Sequence, residues 1–138
     1  MANDWMHRYL DAWNSHDADR VAVFMAADAT YEDLALGQLH EGVDAIKGFV
    51  DETAAFSGDY HFSPVSVQAG GADYAMEWEM SGTNTGAIGG LPATNKPYRI
   101  RGVSIGQLDA EGKIARNRDY WNLADYLMQV GILPPPGH

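Results

Sequence analysis

Cysteine is absent from the 138-residue chain. That excludes disulfides, thiol nucleophiles and cysteine-based metal sites together, and it leaves the redox compartment open. Positive charge is also scarce. Nine Lys and Arg stand against 19 Asp and Glu, for a net charge of −10 and a pI near 4.6. Nucleic acid and anionic membranes recruit basic patches, because phosphate neutralisation supplies most of the affinity. A chain this acidic is a poor partner for either, and its acidity reads as solubility. No apolar run approaches the length that spans a bilayer. The first eight residues lack a basic stretch followed by an apolar one, so no signal peptide is expected and a cytoplasmic location follows by default.

What is present is the balance of a globular protein. Hydrophobic residues make up 46% and charged residues 20%, which argues against disorder. The length suits one domain, and no repeat or linker divides it. Trp5, Tyr9 and Trp13, with Met6 and Leu10, form one apolar stripe at helical spacing, and Asn3 or Asp4 can cap that helix. A short second helix carries Val21, Phe24 and Met25, followed by a brief strand near 30–34. A third helix follows Gly42, with Val43, Ile46, Phe49, Val50 and Thr53 on one face. The remainder alternates as strands near 60–68, 73–84, 97–109 and 113–122. Turns are expected at Gly70-Gly71 and at Ala110-Glu111-Gly112, and a last short helix after Asn122 carries Leu123, Tyr126, Leu127 and Val130. Helices first and strands later predict an α+β fold. A curved, mainly antiparallel sheet would wrap around three N-terminal helices as a cone and leave a cavity between the layers.

A series of short motifs then carries a resemblance. Tyr9-Leu10-Asp11-Ala12-Trp13-Asn14, His40-Glu41-Gly42, Gly82-Thr83-Asn84-Thr85-Gly86, Arg101-Gly102-Val103, Glu111-Gly112-Lys113-Ile114 and Arg118-Asp119-Tyr120-Trp121 occur in order along nearly the whole chain. Together they resemble the SnoaL-like polyketide cyclases of the nuclear transport factor 2-like superfamily, with Asn84 where the family has His. The resemblance implies the cone fold and an intramolecular aldol ring closure without a cofactor. It also implies a carboxylate acid–base residue at Asp119. Two further pocket positions of those cyclases, an Asn and a His, fall on Tyr31 and Ser104. The Arg118 to Trp121 motif is also similar to limonene-type epoxide hydrolases. Those enzymes add an Asp and an Arg on the strand corresponding to 74–84, where this chain has Glu77, Trp78, Glu79 and Met80.

Candidate residues follow from type and parity. Alternation puts Asn117, Asp119 and Trp121 on one strand face and Arg116, Arg118 and Tyr120 on the other. An Asp in an apolar site resists ionisation, which moves its pKa toward the range useful for proton transfer. A surface Asp paired with a neighbouring Arg is the competing reading. Tyr31 and Ser104 are candidates for holding a carbonyl oxygen. Asp33 shares the face of Tyr31 and could pair with Asp119 as a second carboxylate; a polar strand end is the simpler view of it. Trp13, Trp78, Met80 and Trp121 are expected to wall the pocket. His40, before the third helix, and His61, between Tyr60 and Phe62, are further substrate-binding candidates. So is Arg101, for an anionic group, although a salt bridge is its simpler role.

No spacing suggests a metal, and no cofactor is expected. The Gly-rich stretch 82–97 lacks the ending of a phosphate loop and suits a lid or a long hairpin connection. The expected ligand is a small apolar molecule. Val65, Val67, Val103 and Ile105 cannot all face inward, which points to a homodimer.

Overall fold

The computed structural model describes residues 2–137. The N-terminal apolar stripe forms α1 (Ala2–Asn14), which buries Met6, Tyr9, Leu10 and Trp13. The helix already runs from Ala2, so Asp4 sits in its first turn rather than at its cap; the side chain of Asn3 lies outside the described residues. The Asp17 carboxylate accepts from the backbone of Asp19 and caps α2 (Ala18–Ala22). The strand expected at 30–34 begins earlier, as β1 (Met25–Asp33). A four-residue strand that alternation did not reveal follows it, β2 (Gln38–Glu41). Then come α3 (Val43–Phe56), β3 (His61–Gly70), β4 (Asp73–Thr83), β5 (Pro97–Leu108), β6 (Ile114–Trp121) and α4 (Leu123–Gln129).

The six strands make one curved open sheet in the order β2-β1-β6-β5-β4-β3. Only the β1–β6 pairing is parallel. That pairing sets the N-terminal strand beside the C-terminal one inside the sheet. Tyr74, Met76, Trp78 and Met80 of β4 are buried on the inner face, as their alternation predicts. They pack with α1 and α3 into one core.

Two glycines inside β5 explain how large rings fit there. Gly102 pairs with Trp78 and Gly106 with Tyr74 across the ladder. A Cβ built on Gly102 would overlap the Trp78 ring, and one on Gly106 would overlap Tyr74. Glycine in a strand interior weakens it unless something must approach closely; here the aromatic rings lie over bare backbone. The outer face carries the charges, where Glu79 meets Arg99 at 2.8 Å and Arg101 at 3.8 Å.

Candidate active site

Strand parity assembles the site. Asp119 on β6 is the register partner of Asp33 on β1 and of Ser104 on β5. Tyr31 stands two residues before Asp33, and Asn117 two before Asp119. All five side chains therefore share the inner face, and all are buried.

Asp119 accepts three hydrogen bonds. The Tyr31 hydroxyl donates to Oδ2, the Ser104 hydroxyl to Oδ1 at 2.5 Å, and Asn117 Nδ2 to Oδ1 at 2.9 Å. Two donors behind these hold them in place. Trp78 Nε1 donates to Ser104 Oγ at 2.9 Å, and the Tyr74 hydroxyl donates to Asn117 Oδ1 at 2.7 Å. The Tyr9 hydroxyl lies close to Tyr31 and the Trp13 indole without hydrogen-bond geometry to either.

Among the described residues, no Lys, Arg or His lines this pocket. Arg118 is not a partner of Asp119, because it points to the opposite face as alternation requires. Asp119 is thus surrounded by neutral donors and aromatic rings. Burial pushes its pKa up to about 6; the bonds from Ser104, Tyr31 and Asn117 pull it down, and the charge of Asp33 adds to the rise. Burial, and then the charge of Asp119, hold the Tyr31 hydroxyl well above its ordinary value. Tyr31 is therefore a donor at neutral pH, and Asp119 is the more readily ionised of the two.

The pocket is a narrow cavity of about 40 Å³ that opens to solvent at its mouth. Trp13, Trp78, Met80 and Trp121 line it, together with Phe49 and Phe62. Trp13 sits 5.7 Å from Phe62 and 6.1 Å from Tyr31, ring centre to ring centre. Asp33 lines the same pocket, 3% exposed, so it is more than a polar strand end. The Trp121 indole donates to both its oxygens, at 3.1 and 3.0 Å, and the Leu36 backbone donates at 2.9 Å. Burial raises its pKa against these bonds.

Leu36, Phe49, Thr53 and Phe56 also border an outer space that runs to residues 87–89 of the long β4–β5 connection. Buried Asn84 pins that connection, donating to Pro92 O and Thr94 Oγ1 at 3.3 Å.

Three sequence candidates lie elsewhere. Arg101 alternates with buried Ile100 and Gly102, which sends it to the outer face beside Glu79. His61 is exposed while its neighbour Phe62 lines the pocket. His40 stacks on Phe49, centroids 4.4 Å apart, and is not part of the pocket lining, and burial lowers its pKa. Conversely, Asn117, Tyr98 and Tyr126 were not singled out from sequence. The two-residue spacing to Asp119 signals Asn117; nothing in the sequence marks the other two.

Residues 6–117 match the family model of the SnoaL-like domain. The chain belongs to the SnoaL-like family. It is 30% identical to the cyclase aurE of Calcarisporium arbuscula over 115 residues, 82% of this chain and 81% of that protein. A crystal structure from Jannaschia sp. CCS1, described as a SnoaL-like polyketide cyclase, superposes with a TM-score of 0.84 at 17% identity, covering 97% of this chain and 93% of that one. SalBIII, an epoxide hydrolase/cyclase-like enzyme in pyran ring formation in the polyether salinomycin, superposes with a TM-score of 0.74 at 23% identity, covering 90% and 92%.

Burial of Asp119 has a thermodynamic consequence. Its folded-state pKa lies above the ordinary aspartate value of 3.8, so the folded protein holds that proton more tightly than the unfolded chain does. The stability associated with the proton is complete below about 4 and is lost as pH rises through about 6. Replacing Asp119 by Asn removes this dependence. Melting curves of the two proteins should therefore diverge between pH 4 and 6, with the Asn variant gaining, and run parallel above. Parallel curves over the whole range would show that Asp119 is solvated.

Proposed function

We propose that the chain is a cofactor-free acid–base enzyme acting on a small, largely apolar ketone or polyketide-like molecule. The observation that carries this reading is a buried carboxylate with neutral donors, opening into an aromatic pocket. Asp119 removes a proton alpha to a carbonyl. Accepting that proton turns Asp119 from acceptor to donor and frees the Tyr31 hydroxyl, which no longer faces an anion, to bond the enolate oxygen. Ser104 supports the same oxygen or keeps Asp119 oriented. The enolate carbon attacks a second carbonyl of the same molecule, one carbon–carbon bond forms, and Asp119 returns its proton to the new alkoxide. Trp13, Trp78, Met80 and Trp121 exclude water, which strengthens each of these interactions. Membership of the family and the likeness to aurE support cyclisation as the class of reaction.

A second reading has one observation in its favour. Asp33 brings a second carboxylate to the pocket, and epoxide opening by paired carboxylates would use it. The Arg of limonene-type hydrolases has no counterpart on β4, where Trp78 and Met80 face inward. A thermal-shift screen against cyclic ketones, epoxides and steroids, followed by product analysis of the hits, separates the readings. Carbon–carbon ring closure supports the first, hydrolytic diol formation the second, and binding without conversion would make the protein a carrier.

We also propose that two copies pair through the outer sheet face. Tyr120 on β6 is 45% exposed opposite half-buried Val103 on β5, with Ile105 two residues on, and Val65 at the β3 bulge is 44% exposed beyond Glu77 and Glu79 of β4. An apolar patch of this kind marks an interface. Light scattering at micromolar concentration should return twice the 15.1 kDa chain mass; a monomer mass would exclude the pairing.

A further inference from the structure

Most polar hydrogens in the pocket wall, that of the Trp13 indole aside, are committed to the protein. Tyr31 serves Asp119, Trp78 serves Ser104, and Trp121 serves Asp33. Thr53 Oγ1 donates to Phe49 O at 2.8 Å, and the Tyr98 hydroxyl to Ser57 Oγ at 2.7 Å. Tyr126 differs. It lines the pocket from α4, is 1% exposed, and its hydroxyl has no partner. Its neighbours are rings: Tyr98 at 5.0 Å, Phe56 at 6.0 Å and Trp121 at 6.1 Å between centroids. Buried hydroxyls are nearly always bonded, and an unmet one costs about 1–3 kcal/mol. For packing alone, Phe would serve better at this position.

The place of Tyr126 gives its hydroxyl a use. It packs on Tyr98 and Trp121, while Asp119 lies two residues before Trp121 and opposite Ser104. Tyr98 and Ser104 are six residues apart on β5, which is about 20 Å of strand. Side chains reaching inward from both stations shorten the gap that a ligand must bridge.

We propose that the Tyr126 hydroxyl orients the substrate by donating to an acceptor oxygen remote from the carbon that Asp119 deprotonates. The substrate is then an elongated apolar molecule with carbonyl or ether oxygens at two separated positions. This deepens the acid–base reading and rests on it for the reacting end only.

The probes are nonane-2,8-dione, undecane-2,10-dione and tridecane-2,12-dione, each compared by calorimetry with the 2-alkanone of equal chain length. One dione should bind about 5–10-fold tighter than its monoketone, the worth of one hydrogen bond made in an apolar wall. Tyr126→Phe should reduce that dione to the affinity of the monoketone, leave the monoketone within twofold, and melt at the same or a higher temperature. A merely structural tyrosine would instead move both ligands together. The proposal falls if no dione exceeds its monoketone, or if Tyr126→Phe weakens both equally. The first comparison uses the unaltered protein, so it decides even if the variant does not fold. Dione selectivity without proton transfer would remove the acid–base reading and leave Tyr126 its role; proton transfer with equal affinities would do the reverse.

Discussion

Asp119→Asn should lose proton transfer almost completely while keeping the pocket. A positioned general acid or base typically contributes about 10²–10⁴-fold to the rate, and Asn cannot supply it. The amide has the shape of the carboxylate. Its oxygen can still accept from Ser104 and Asn117, and its NH2 can donate to Tyr31, whose own proton is then free. Affinity for an apolar ketone should therefore change less than threefold. Stability at neutral pH should be equal or higher, because a buried ionised carboxylate without a counter-cation is replaced by a neutral group. A variant that melts well below the parent and turns over normally would show that Asp119 is structural.

The second large effect is expected far from any reacting atom. Gly102→Ala puts a methyl group where the Trp78 ring lies. The ring cannot share that space, so it must rotate away or push β4 from β5. Overpacking of this kind costs about 1–3 kcal/mol. It should appear as a lower urea midpoint with an unchanged slope. The Trp78 indole would also lose Ser104, and Ser104 its fixed direction toward Asp119, so activity should fall beyond what unfolding explains. Gly70→Ala is the control, since nothing lies within 4 Å of its added Cβ. Equal stability of both variants would mean that the ring is not seated on Gly102.

Much of this site could be read before any coordinates, and the reason is strand parity. A period of two fixes which side chains share a face, so Asp119 with Trp121, and Trp78 with Met76 and Met80, were legible from spacing alone. The same rule, applied to Asn117, gives its place beside Asp119. Applied to Phe62 and Ile100, it sends His61 and Arg101 outward; single polar residues drew attention where their apolar neighbours set the direction.

Other features depend on what packs across. Asp33 reads as a polar strand end until the parallel β1–β6 register sets it beside Asp119 and the Trp121 indole closes on it. The strand β2 is four residues long, too short for alternation to speak. Tyr126 looks like one more apolar position of a short helix, and its hydroxyl gains meaning only from rings contributed by α3, β5 and β6. Resemblance to the family pointed to Asp119 and to the positions of Tyr31 and Ser104, but not to the bonds those two make to Asp119, because Tyr31 and Ser104 differ from the family's own choices.

Proton abstraction itself can be measured without knowing the natural substrate. Undecane-2,10-dione is incubated with the protein in D2O, and exchange of its alpha hydrogens is followed by NMR against a protein-free control. The unaltered protein should accelerate exchange, with a rate that rises through pH about 6 as Asp119 ionises, and Asp119→Asn should exchange no faster than buffer. Acceleration that survives the Asn substitution, or a bound dione whose alpha hydrogens exchange no faster than in buffer, would contradict Asp119 as the acid–base residue of this pocket.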